Sequence, residues 1–320
     1  MSVLRYIILL LSSLIIVFLL ITNHRIYLEE DILFDINLGS SLQEISANLK
    51  KRNLIVSSLV FQLNAKLHSI EKQIKAGEYL LSDGESIFTL QKKFLNGKNF
   101  YRKLQLLEGM TMDDVFKLGN SEGIVDDVQG DLLNLQKKLG IHNRYEGFLF
   151  PDTFYYKKGD LFSSLLKRSF LKQQKIYSDL WISRQDGLPY QSLKEAITLA
   201  SIIEKEGLEK KLIAGVFVNR LKKNMKLQSD PTVIYAIGNS FDGNIRKADL
   251  RIDNPYNTYK YKGLPPGPIG LVSLNSIKAA LNPEKSDYLY FVSMNNGFHK
   301  FSKTLDEHNK AVLKYQINGR

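Results

Sequence analysis

Residues Tyr6–Thr22 (YIILLLSSLIIVFLLIT) carry no charge, and only Ser12, Ser13 and Thr22 interrupt the apolar run. At 1.5 Å per residue a helix of this length spans about 25 Å, the short end of what crosses a bilayer. Val3 and Leu4 lengthen it if Arg5 extends its guanidinium to the interface. The alternative is a cleaved signal peptide. The run is long for such a segment, however, and Thr22-Asn23-His24-Arg25-Ile26-Tyr27 offers no small-x-small cleavage site. The sequence therefore predicts an uncleaved single-pass anchor, with residues 1–25 forming a cytoplasmic tip and a transmembrane helix. Arg5 and the α-amino group precede the run, whereas Glu29, Glu30 and Asp31 follow Arg25. The positive-inside rule places the N-terminus in the cytoplasm and everything from about residue 25 on the outer side of the inner (cytoplasmic) membrane.

The remaining chain, out of 320 residues, is long enough for about two domains with a real core. It has no cysteine, which removes disulfides, thiolate metal sites, a cysteine nucleophile and a lipid-modified N-terminal Cys. A formal charge of +11 calls for an acidic partner: nucleic acid, anionic lipid or an anionic polymer. An extracytoplasmic location weakens the nucleic-acid reading.

All eight prolines lie at Pro151 or later, and six fall between Pro231 and Pro283. The first half is therefore built of regular elements, and the second half carries stiff, loop-rich segments of the kind that hold sites. Residues 31–97 read as a small α+β unit. It has a strand at Ile32–Ile36, a helix capped by Ser40 or Ser41, a helix over Ser58–Leu67, a strand at Gly77–Leu81 and a helix from Ser86-Ile87 to Asn96-Gly97. Residues 101–185 follow as a second α+β stretch. A strand at Tyr101–Leu107 and a Thr111-capped helix are followed by an aromatic, extended segment Tyr145–Tyr155 and a long helix from Leu161 to about Ser183. Gln185-Asp186-Gly187-Leu188-Pro189 is a turn-rich joint before residues 186–320. The fold class is α+β.

Ser192–Glu206 (SLKEAITLASIIEKE) is a strong helix ended by Gly207. At 100° per residue, Ile197, Ala200 and Glu204 all fall within about 40° of Leu193, while Glu195 and Glu206 point away. Glu204 thus lies on the stripe that should be buried, near a helix C-terminus. Burial and the negative helix end both raise a carboxyl pKa, and a glutamate that keeps its proton near neutral pH is a general acid. The bland reading is that Glu204 sits where the stripe leaves the core, or pairs with Arg220 or a lysine. A second helix over about Lys211–Lys223 carries Arg220 on its apolar side, where a structural role is the expectation.

In Leu227-Gln228-Ser229-Asp230-Pro231-Thr232, Asp230 reads as a helix N-cap with Pro231 in the first turn. The functional reading makes Gln228 and Asp230 polar groups lining a cleft. Asn254-Pro255-Tyr256-Asn257-Thr258-Tyr259 leads to Gly263-Leu264-Pro265-Pro266-Gly267-Pro268-Ile269-Gly270. Tyrosine faces with Asn and Gln amides suit sugar recognition, and the bland alternative is a self-packed Ω-loop. No HExxH, GxSxG, Walker A or metal-ligand spacing is present, so these motifs call for neither a metal nor a cofactor.

Several strings taken together resemble the MltG (YceG-like) family of endolytic murein transglycosylases. They are Leu199-Ala200-Ser201-Ile202-Ile203-Glu204-Lys205-Glu206, Val218-Asn219-Arg220-Leu221, Leu227–Tyr235, Tyr256-Asn257-Thr258-Tyr259 with Gly263–Ile269, Glu146–Thr153 and Tyr288–Val292. The match runs in order from about residue 31 to 315. The resemblance implies an anchored protein with a LysM-like module near residues 31–97 and a catalytic region beyond it, its catalytic subdomain at 186–320. The family's catalytic glutamate, taken as the first of the Glu-Lys-Glu run, maps onto Glu204.

The reaction so implied is cleavage of the MurNAc–GlcNAc bond within nascent, uncrosslinked glycan strands. Glu204 acts as acid and then base, leaving a 1,6-anhydroMurNAc end. Gln228, Asp230, Asn257 and Tyr259 are the expected substrate contacts. Peptidoglycan glycan strands and the membrane are the expected partners, peptidoglycan synthases are candidate partners, and nucleic acid is not. Two rivals remain open: a peptidoglycan-binding scaffold without catalysis, and a hydrolytic muramidase using Glu204 with Asp230.

Overall fold

The computed structural model describes residues 2–122, 124 and 146–317. Tyr145, at the start of the expected extended aromatic segment, lies outside them. The described elements give a mixed α+β fold with one long apolar helix at the N-terminus.

The chain groups into two compact units, Met1–Lys103 with Tyr155–Asp160, and Leu104–Phe154 with Leu161–Arg320. The first unit opens with α1 (Ser2–Asn23), which is long and apolar enough to cross a membrane and exposes most of its apolar side chains, its last turn packing on the unit. Then β1 (Ile32–Ile36), α2 (Leu42–Lys51), α3 (Ser58–Leu67), β2 (Gly77–Leu81) and α4 (Ile87–Asn96) follow. The helices start where short polar side chains satisfy free backbone N–H groups: Ser41, Ser57 and Ser86 each accept one from the first turn. Gly97 ends α4 at φ +63°, a conformation glycine adopts without strain. β1 and β2 pair antiparallel with Ile32 opposite Leu81 and Ile36 opposite Gly77. Phe34, Leu49, Phe61, Tyr79, Leu90 and Phe94 form the core.

β3 (Arg102–Gln105) pairs with β4 (Thr153–Tyr156). In the second unit α5 (Met112–Ser121) is capped by Thr111. It is followed by α6 (Phe162–Ile182), α7 (Leu193–Glu206), α8 (Lys210–Lys222), α9 (Asp230–Ile237) and α10 (Leu274–Leu281). The hairpin β5 (Tyr290–Ser293) and β6 (His299–Ser302) and the helix α11 (Leu305–Val312) close the unit. α7, α8 and α10 share one core through Ile197, Ala200, Ile203, Phe217, Ile277 and Leu281. Residues on both sides of the Gln185–Pro189 joint join this core: the Tyr177 hydroxyl donates to the Val272 carbonyl and that of Tyr190 to Ala280.

Candidate active site

Glu204 and Glu206 occupy the last turn of α7, and the structure gives them opposite chemistry. Glu204 is largely covered, in line with its helical phase, but it is fully engaged. Its Oε1 accepts from Lys210 Nζ at 2.7 Å, and its Oε2 accepts the Ser273 backbone N–H at 2.8 Å. Ser273 is the N-cap of α10, so the carboxylate meets the positive end of a helix dipole. Desolvation alone would raise its pKa, but the Lys210 and Ser273 hydrogen bonds win and hold it below the usual carboxylate value. These bonds favour an ionised Glu204, against the sequence expectation of a proton-retaining one. Phase on one helix located the burial but could not reveal a lysine beyond the helix end or a peptide N–H 69 residues away.

Glu206 shows the raised pKa that the sequence reading expected of its neighbour. Gly207 ends the helix with extended backbone, and a Cβ there would stand 2.6 Å from the His299 ring. His299 is held in turn by Glu209, its Nδ1 3.0 Å from Glu209 Oε2. The chain thus leaves α7 abruptly, and the Glu206 side chain meets the loop before α9. There the Ser229 hydroxyl donates to Glu206 Oε1, and no other hydrogen bond reaches the carboxyl among the described residues. Desolvation pushes the Glu206 pKa up to about 7; the Ser229 hydrogen bond and Arg220 oppose the shift, and Asp230 adds to it.

Ser229, not Asp230, is the N-cap of α9, a correction to the sequence reading. Its hydroxyl makes no capping bond because it is turned to Glu206. The loop is stitched to the tyrosine-rich segment: Gln228 N–H donates to the Thr258 carbonyl, and Ser229 N–H to the Thr258 hydroxyl. Gln228 sits at φ +51°, left-handed backbone that is uncommon for a non-glycine residue and characteristic of functional loops. Tyr259 donates its hydroxyl to Asp230 Oδ1 at 2.5 Å, and burial together with Asp230 raises its pKa.

Of the residues read as substrate contacts, Gln228 and Asp230 are exposed beside Glu206, and Tyr259 joins them. Asn257 does not face a substrate. It is fully buried; its amide donates to the Leu250 and Ile252 carbonyls, and its carbonyl accepts the Tyr259 N–H. It holds the loop and orients Tyr259 instead. Arg220 is structural, as expected, donating to the carbonyls of Leu289, Lys226 and Leu227.

The sequence assigned no role to Glu146. Its carboxyl is buried and accepts the Met112 N–H, at the start of α5, and the Tyr235 hydroxyl at 3.1 Å. Desolvation raises its pKa to about 7 against these bonds. The only available sign was its place before Gly147, whose φ of +73° and contact with Pro268 lock the turn.

The YceG-like family model matches residues 34–314. A Bacillus subtilis protein named endolytic murein transglycosylase is 36% identical over 304 residues, covering 87% of this chain and 82% of its own. A Streptococcus pneumoniae protein of the same name is 31% identical and also covers 87% of this chain, which spans only 57% of that longer protein. The crystal structure of a yceG-like protein from Listeria monocytogenes superposes with a TM-score of 0.59 at 34% identity, covering 88% of this chain and 99% of that one.

Proposed function

This chain belongs to the YceG-like family, and from that membership we propose that it is a membrane-anchored endolytic murein transglycosylase, a lyase acting on peptidoglycan, with Glu206 as its acid and base. The observation that carries the residue assignment is a carboxyl held by one hydroxyl beside the exposed Gln228 and Asp230, where burial pushes its pKa up to about 7.

Protonated Glu206 donates to the glycosidic oxygen between N-acetylmuramic acid and N-acetylglucosamine. As that bond breaks, positive charge develops at the muramic anomeric carbon. The carboxylate left on Glu206 then takes the proton of the muramic 6-hydroxyl, whose oxygen attacks the same carbon. The product is a 1,6-anhydro end; Glu206 regains its proton, and no water is consumed. One carboxyl serves both steps because the roles are sequential. Asp230 carries negative charge near the developing cation, and Tyr259, held on Asp230, offers a ring face to a sugar. Glu204 serves as an ionised strut joining Lys210 to the start of α10.

The β1–α2–α3–β2 order supports reading residues 31–97 as a LysM-like module, and α1 supports a single-pass inner-membrane location with the enzyme outside. Residues 101–185 and 186–320 then form the linking and catalytic parts of one region. Nascent glycan strands are the substrate, and the synthases that make them are the partner class. Digestion of uncrosslinked glycan in H2(18)O tests the reaction. Unlabelled anhydro ends support the lyase; labelled reducing ends would make the protein a hydrolase pairing its acid with Asp230. Binding of glycan without cleavage would make it a scaffold.

A further inference from the structure

We infer that the first unit rests on the lipid surface through an apolar patch beside the end of α1, so that the anchor and the patch together form a two-point membrane contact. The inference rests on reading α1 as a membrane span. The chain leaving α1 is tied down at once. Ile26 joins the core of the unit, its N–H donates to the Glu85 carbonyl at 2.8 Å, and its carbonyl accepts from Gly84. Leu28 N–H donates to Asp83 Oδ1 at 2.9 Å. The last turns of α1 also pack against α3 and α4. The turn between β2 and α4 is therefore held at the point where the chain leaves the span.

Large apolar side chains that no core covers gather around that point. Phe88, in the first turn of α4, is 49% exposed, and its ring lies 6.5 Å edge-on from His68 at the end of α3. Leu67, next to His68, is 71% exposed, and Leu63 one turn back is 44% exposed. Tyr27, four residues beyond α1, is 82% exposed. Phe88 is three residues from Glu85, so it lies within about 11 Å of the tied segment. The headgroup layer is about 5–8 Å deep on each side of the hydrocarbon core, and interfacial groups bury about 5–10 Å into it. The patch thus lies within reach of the layer where aromatic and leucine side chains bind lipid. Exposed Arg25 and Lys66 beside it supply the cationic partners that phosphate headgroups attract.

The absence of cysteine makes the test direct. Full-length single-cysteine variants Leu14→Cys, Leu67→Cys, Phe88→Cys and Leu38→Cys are labelled with NBD and reconstituted in phosphatidylcholine–phosphatidylglycerol vesicles containing nitroxide lipids. Leu38 is the reference, 95% exposed and beyond the far end of β1 from the Ile32–Leu81 pair. The expected result is severalfold stronger quenching of the Leu67 and Phe88 probes than of the Leu38 probe by a shallow nitroxide, with Leu14 quenched by a deep one. Leu67 and Phe88 probes quenched no more than Leu38, with Leu14 still quenched, overturn the patch and leave the anchor standing. Loss of Leu14 quenching overturns the anchor, and this inference with it.

Discussion

Replacing Glu206 by Gln is expected to stabilise the second unit while destroying activity, and the stabilisation should depend on pH. The native carboxyl titrates near 7, whereas an unfolded glutamate titrates near 4.5. A carboxyl whose native pKa is raised is at no disadvantage while both states are protonated. It disfavours the native state increasingly as pH rises through the interval between the two values, and the penalty levels off above the native pKa. Linkage over those two values gives about 1 kcal/mol at pH 5 and about 3 kcal/mol at pH 7. Gln keeps the size and an acceptor for Ser229 but has no such ionisation, so Glu206→Gln should gain on wild type by about those amounts. Glu204→Gln should do the reverse. Its native pKa is lowered, so its contribution is present above 4.5 and lost as pH falls through the native value. Removing that charge strands the largely buried Lys210 ammonium and should destabilise by about 2–3 kcal/mol at pH 7.

The assay is urea unfolding in detergent followed by Trp181, the single tryptophan, which packs against the core of the second unit and so reports that unit alone. A Glu206→Gln effect of the same size at pH 5 and pH 7, or a destabilisation, would refute the reasoning.

For catalysis, wild-type kcat/KM should fall about tenfold per pH unit above a pKa near 7, as the acid loses its proton; a flat profile to pH 9 would count against Glu206. Asn257→Ala strips partners from two half-buried carbonyls and the Tyr259 N–H, and should destabilise the unit by about 2 kcal/mol, with a raised KM, both readable by urea titration and kinetics. Gly147→Ala places a Cβ 2.3 Å from Pro268 at φ +73°, and a loss of about 2–3 kcal/mol is expected in the same titration.

The elements of the first unit were legible because their signals are local. Ser41, Ser57 and Ser86 cap helices from adjacent positions, and strand pairing follows the apolar runs at Ile32 and Gly77. The motifs around Gln228 and Tyr256 marked the candidate site, and the structure brings Gln228, Asp230 and Tyr259 together. The choice between Glu204 and Glu206 was not legible. A helical wheel reports which side of α7 is covered, but acidity depends on Lys210, Ser273 and Ser229, which approach from other elements. Asn257 illustrates the same limit: an amide in a tyrosine-rich loop looks like a sugar ligand until its three partners prove to be backbone. Glu146 showed no periodicity at all, because its partners come from α5 and α9.

The most direct test of the central claim is mass spectrometry of products released from uncrosslinked glycan by wild type, Glu206→Gln and Glu204→Gln, each verified as folded. The account predicts anhydro-ended fragments from wild type, a loss of at least a hundredfold in Glu206→Gln, and retained cutting by Glu204→Gln. Wild-type rates from Glu206→Gln, with Glu204→Gln silent, would return the acid to Glu204 and contradict it.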